Sequence, residues 1–120
     1  MTFDDAMAAH VIWKVRLTRM IEGAGGGDLE SVAAGDDDVC AFGKWIHGEG
    51  RQYRTTPAYE EVLRKHAHFH ACAAEVVRKA EQGDKAAAMK VLDGAFEAAS
   101  RQLVNALVEL KTEAQQVPLR

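Results

Sequence analysis

The chain has 120 residues, the size of one domain, and 48% of them are hydrophobic against 28% charged, a balance that supports a buried core. A net charge of −3, with Lys and Arg scattered among acids, leaves no basic stripe for nucleic acid. No apolar run approaches a membrane span, and the start, Met1 to Asp5, has no apolar leader, so the expected home is the cytoplasm, where thiols stay reduced.

Alanine occupies 21 positions while Ile and Val together fill 14, which favours helix over sheet. The first predicted helix runs from about Phe3 to Glu22, with Phe3, Ala6, Met7, His10, Trp13, Leu17, Met20 and Ile21 at helical spacing. Gly23 and the run Gly25 to Gly27 stop it. A loop containing Leu29 to Ala34 leads to the acids Asp36, Asp37 and Asp38. The second helix is short, roughly Val39 to His47, with Asp38 as its N-cap and Gly48 and Gly50 ending it. The third starts with Thr56 as cap and Pro57 in the first turn, and runs to about Gln82. Gly83 then stops it and Asp84 caps the next. The fourth, about Lys85 to Ala114, carries Leu92, Ala95, Phe96, Ala99, Leu103, Ala106, Leu107 and Leu110 on one side. Gly94 inside it invites the close approach of a neighbouring helix. The expectation is an all-α antiparallel four-helix bundle forming one domain over residues 1–120. A further short helix or helical turn lies near the metal site, and residues 111–120 form a frayed tail.

Histidine is the over-supplied residue: His10, His47, His66, His68 and His70, beside two cysteines, Cys40 and Cys72. At about 100° per residue, His66 and His70 fall within about 40° of each other, in the middle of the apolar stripe of the third helix. His68 falls on the opposite, solvent side, and Cys72 falls off the stripe. His10 lies in the stripe of the first helix with Leu17 and Ile21. His47, at a helix C-terminus, reads as surface. A buried imidazole without a partner costs about 1–3 kcal/mol, so each can satisfy itself on a carbonyl or carboxylate. Three in one small core point instead to a metal, since an i, i+4 pair can bite one ion.

Cys40, at the start of the short helix where the dipole favours thiolate, is the natural fourth ligand, and Cys72 is a bystander. Three neutral imidazoles and a thiolate suit Zn²⁺ in a closed tetrahedral shell. Asp36, Asp37 or Asp38 can orient imidazole N–H groups or simply cap and solvate the loop. Gly43 leaves room for a neighbouring backbone, and Trp13 and Trp45 either fill the core or wall the site. Val104 and Val108, outside the main stripe of the fourth helix, form a dimer seam or widen the core face.

Two enzymatic alternatives stand beside a zinc-dependent regulatory domain. A zinc hydrolase keeps a coordination position open for water, whereas four protein ligands fill the shell, and no Glu follows the first His of the pair. A di-iron or oxygen-binding bundle needs Glu-x-x-His, but Leu63 and Ala67 stand three residues before His66 and His70.

The blocks His10 to Lys14, Cys40-Ala41-Phe42-Gly43-Lys44-Trp45-Ile46 and His66-Ala67-His68-Phe69-His70 resemble the chemoreceptor zinc-binding domain family. Its motif is a His followed by an aromatic residue, a Cys-x-hydrophobic-Gly-x-Trp block and a closing His-x-x-x-His. Pro57-x-Tyr59 and the Gly83 break fit as well, and the resemblance covers nearly the whole chain. It implies a four-helix bundle that holds one zinc through His10, Cys40, His66 and His70. It also implies a homodimer that regulates a chemoreceptor or diguanylate cyclase partner in response to zinc or to oxidants such as hypochlorous acid, which attack the Cys40 thiolate. No signalling or catalytic output domain is expected within these 120 residues, which read as a stand-alone sensor module or as a piece of a longer protein.

Overall fold

The computed structural model describes residues 3–23 and 41–115. Helix α1 spans Phe3–Ile21 and α2 spans Ala41–His47, followed by a 3₁₀ turn, Glu49–Tyr53. Helix α3 spans Pro57–Glu81. Helix α4, Lys85–Val91, passes through a π-helical turn, Leu92–Phe96, into α5, Glu97–Ala114. The junction residues Val91, Leu92, Phe96 and Glu97 all keep right-handed helical backbone, so α4, the π turn and α5 form one continuous rod. Four helices pack together, no strand occurs among the described residues, and the expected all-α bundle is what forms.

Direction follows from side-chain ties. Lys14 donates to Glu97 at 2.7 Å and Lys111 to Asp4 at 2.9 Å, so α1 and α5 run antiparallel. The Ala58 amide donates to Glu113 at 3.2 Å and Lys65 to Gln102 at 3.2 Å, which sets α3 antiparallel to α5 as well. Phe42 lies against His10, whereas Trp45, three residues later, lies against Phe3, so α2 descends alongside α1. The Tyr59 hydroxyl locks the lower end of α2 by donating to the Ile46 carbonyl at 2.8 Å. Successive helices therefore alternate in direction around a core that includes Leu17, Ile46, Val62, Phe69, Leu92, Phe96, Leu103 and Leu107. No helix among the described residues is long and apolar enough to cross a membrane.

Helix ends obey local chemistry, with two corrections. Gly23 and Gly83 both take φ +80°, the left-handed conformation that closes a helix and that a Cβ disfavours. The Asp84 carboxylate accepts from the Ala87 amide at 3.0 Å, the expected cap. Thr56 occupies the cap position of α3, but its hydroxyl donates to the Tyr53 carbonyl at 2.7 Å instead of accepting from α3. The first turn of α3 is served from another helix, by Glu113 on the Ala58 amide. Gly50 lies inside the 3₁₀ turn rather than merely ending α2. A Cβ there would sit 3.1 Å from the Trp45 carbonyl and 3.2 Å from Ile46 Cδ1, so the turn folds back tightly onto α2.

The long C-terminal rod departs from expectation at its π turn. Nothing lies within 4 Å of a Cβ built on Gly94, so no neighbouring helix explains that glycine. Ala95 is exposed, because the wider turn carries it out of the stripe that a uniform α-helix predicts. Val104 is half-buried, and Val108 is exposed together with Ile12 and Val15. Lys111 and Glu113, expected to fray, are helical and bonded, while residues 116–120 lie outside the described residues.

Asp84→Ala is expected to remove about 1 kcal/mol of unfolding free energy in a urea titration. Gly50→Ala is expected to cost at least as much, by pushing the turn off Trp45, and an unchanged midpoint in either variant contradicts the role given to that residue.

Candidate metal centre

Helical phase alone brings the three imidazoles inward. On α1, His10 shares its inner face with Ala6, Trp13 and Leu17; on α3, His66 and His70 share theirs with Val62, Ala73 and Val77. All three histidines are buried, at 2%, 0% and 0% exposure. They converge: one ring nitrogen from each lies within 4.8 Å of the others, and this is the group of possible metal ligands among the described residues. The Nε2 atoms of His66 and His70 are 3.1 Å apart, one helical turn being the rise that stacks i and i+4 side chains.

The proton positions follow from the partners. His10 Nδ1 lies 2.7 Å from the Ala6 carbonyl, which can only accept, so Nδ1 carries the hydrogen. That leaves the Nε2 lone pair directed into the core, where it has no hydrogen-bond partner among the described residues. A backbone carbonyl that fixes the tautomer and frees the other nitrogen is the usual support of a metal-ligating histidine. Two imidazole nitrogens 3.1 Å apart cannot both carry hydrogens on the line between them, so His66 and His70 can share one proton or converge on one cation. The donor set fits a borderline divalent ion such as zinc.

The surroundings keep the rings neutral. Burial pushes His66 down to about 2, helped by repulsion from the other histidines, His70 foremost. Burial also lowers His10, against the opposing pull of the Ala6 carbonyl. Among the described residues, no carboxylate belongs to the cluster.

Aromatic rings close the site. Phe42 of α2 stands edge-on, 5.4 Å from His10 and 5.0 Å from His66. Phe69 stands 5.0 Å from His10 and 5.3 Å from His70, and Trp13 is 5.5 Å from His70. Such edge-to-face contacts orient a ring as well as excluding water. Trp13 belongs to the core and also stands beside His70, with Arg16 over its ring. Trp45 is not in the wall: it stands behind Phe42, at 5.9 Å, in a half-buried group with Phe3 and Tyr53. Phe42 and Phe69 had no role in the site by periodicity, although each neighbours a proposed ligand in sequence. The missed signal is that flanking, an aromatic one or two residues from Cys40, His68 and His70.

The remaining expectations divide. His68 and His47 are exposed, as read. Cys72 corrects the reading: it is 8% exposed and part of the core, with its thiol pushed up by burial. It lies outside the three-histidine cluster, and its sulfur is 3.6 Å from His68 Nε2. The buried face of α3 is wider than the stripe that a single helical phase marks, since it takes in Cys72 and Val76. Gly43 is buried on α2. Cys40 and the acids Asp36, Asp37 and Asp38 lie outside the described residues.

The lowered histidines link stability to pH. Each takes up its proton near 6.5 when unfolded but resists it when folded, so protonation favours the unfolded chain. In the chelated protein, stability is expected to be full above about pH 7. It should fall below about 6.5, by about 1.4 kcal/mol per pH unit for His66, with His10 adding in the same direction. Thermal unfolding by circular dichroism between pH 7.5 and 5 measures this, and a flat profile contradicts neutral burial.

A family model described as the chemoreceptor zinc-binding domain matches residues 10–77. The match begins at His10 and takes in His66 and His70, the three residues the fold brings together. No curated protein and no solved structure matches the chain. With more than half of its length matched by that model, and with buried imidazoles in place to hold a metal, the chain belongs to the chemoreceptor zinc-binding domain family.

Proposed function

We propose that this protein is a zinc-dependent sensory domain whose ion is held by His10, His66, His70 and Cys40. The observation that carries the reading is the convergence of three buried ring nitrogens within 4.8 Å, in a family named for zinc binding. The His10 tautomer, fixed by Ala6, supports it independently. Cys40 enters from sequence: it directly precedes α2, the helix that lays Phe42 on His10 and His66.

Zinc, when bound, lowers the thiol pKa of Cys40 and compensates the burial of three polar rings. The chain's own residues do the rest. Ala6 holds the His10 ring in its ligating tautomer, and Phe42, Phe69 and Trp13 exclude water. Because the ligands come from α1, α3 and the segment before α2, ligand loss frees three elements from one another. Zinc shortage is one input. Oxidation is the other: Cys40 thiolate and hypochlorous acid give sulfenic acid and chloride, sulfur losing the two electrons that chlorine gains. The weakened packing is then the signal, passed to a chemoreceptor or diguanylate cyclase partner in the cytoplasm. A second copy completes a homodimer, for which Ile12, Val15 and Val108, 53%, 54% and 47% exposed, supply apolar surface.

Mass-spectrometric metal analysis is expected to find one zinc per chain, released on treatment with hypochlorous acid. Cys40→Ala and His66→Ala should each weaken zinc by more than the roughly 100-fold that removing an outer hydrogen-bond partner of a ligand costs. Unchanged affinity in His66→Ala overturns the site, and unchanged affinity in Cys40→Ala alone removes the thiol and the redox input from it. Val108→Glu is expected to shift the protein to monomer in sedimentation, and an unaltered dimer excludes this surface.

A further inference from the structure

The π turn at Leu92–Phe96 is tied to the histidine cluster by two separate routes. One is aromatic: Phe96 packs at 5.0 Å on Phe69, whose ring stands 5.0 Å from His10 and 5.3 Å from His70. The other is ionic. Lys14, one turn beyond His10 on α1, donates to Glu97 at 2.7 Å and lies 3.8 Å from Asp93. Its ammonium thus brackets the π turn from both ends.

The turn itself is built to change. Regular α-helix places Ala95 at the edge of the buried stripe, but the π turn leaves it exposed. Gly94, with open space around it, weakens the local helix relative to Ala, and no packing contact requires a glycine there. A π turn holds one extra residue, so its relaxation to regular α-helix would rotate α4 relative to α5.

We propose that the π turn is a register switch in the C-terminal rod, held in its observed phase by Lys14 and Phe69 and biased by whether His10 is drawn to His66 and His70 by a metal ion. The proposal rests on the zinc-site reading above. It adds where the change goes: into a rotation of α4 and the turn before it. Lys14 is the positioning residue, since it touches no ligand and bonds only to the two sides of the turn.

Hydrogen exchange of the full chain, with and without one equivalent of zinc, tests this. In the unaltered protein, zinc is expected to slow exchange across residues 92–97 by about tenfold, the size of a typical coupling between two sites. In Lys14→Met, zinc still binds with one-to-one stoichiometry but the slowing there falls to less than about threefold. Glu97→Gln, which keeps Lys14, is expected to lose the slowing likewise and serves if Lys14→Met does not fold. Zinc binding that leaves residues 92–97 unaffected, or that slows them equally in both variants, overturns the register switch while leaving the zinc site intact. A chain that takes up no zinc overturns the zinc-site reading, and the proposal with it.

Discussion

Three imidazoles in an apolar core constrain everything else in this structure. A buried polar ring demands a partner, and here the partners are a carbonyl, another imidazole and a converging set of lone pairs. The rings can meet only if α1 and α3 lie side by side at one level, and α2 lays Phe42 against His10 and His66 where they do. The bundle's lateral order is thus the arrangement that satisfies the cluster, with the leucine and phenylalanine packing of α3 and α5 as its base.

The placement of charge serves the same end. Ion pairs lie outside the core, where each contributes little on its own. Lys14 with Glu97 and Lys111 with Asp4 strap α1 along α5 at two heights, which fixes the height of His10. Tyr59 does the corresponding job for α2 through one buried hydrogen bond to Ile46. Without these ties a short, seven-residue helix would have too little apolar surface of its own to stay in register.

The rods differ in how firmly they are specified. Helix α3 is continuous over 25 residues and carries two of the cluster's histidines, so it is the fixed member. The C-terminal rod is broken in mid-course by a π turn with a glycine in it, and α2 is short. Helix α2 reaches the cluster through Phe42, and the C-terminal rod reaches it only indirectly, through Phe96 on Phe69 and Glu97 on Lys14. Coupling in a domain of this size needs no long path: two rings separate His10 from the π turn.

Much of this was legible in the residues alone. Helical spacing marked the inward faces of α1 and α3, and with them His10, His66 and His70. Gly83 and Asp84 marked a boundary, because left-handed backbone and side-chain capping are local needs met by local residues. Features that depend on a second element were not legible. Thr56 lost its capping role to Glu113, which serves the Ala58 amide from another helix 55 residues further on. Cys72 became core because the bundle buries more of α3 than its own apolar stripe marks. Ala95 left the stripe because a π turn changes the phase that a uniform period assumes. Phe42 and Phe69 became the walls of the cluster because packing, not spacing, chose which aromatics meet it. Periodicity reports which way a residue faces along its own helix; only the tertiary structure decides what stands opposite, since that is set by the pairing of faces from helices far apart in the chain.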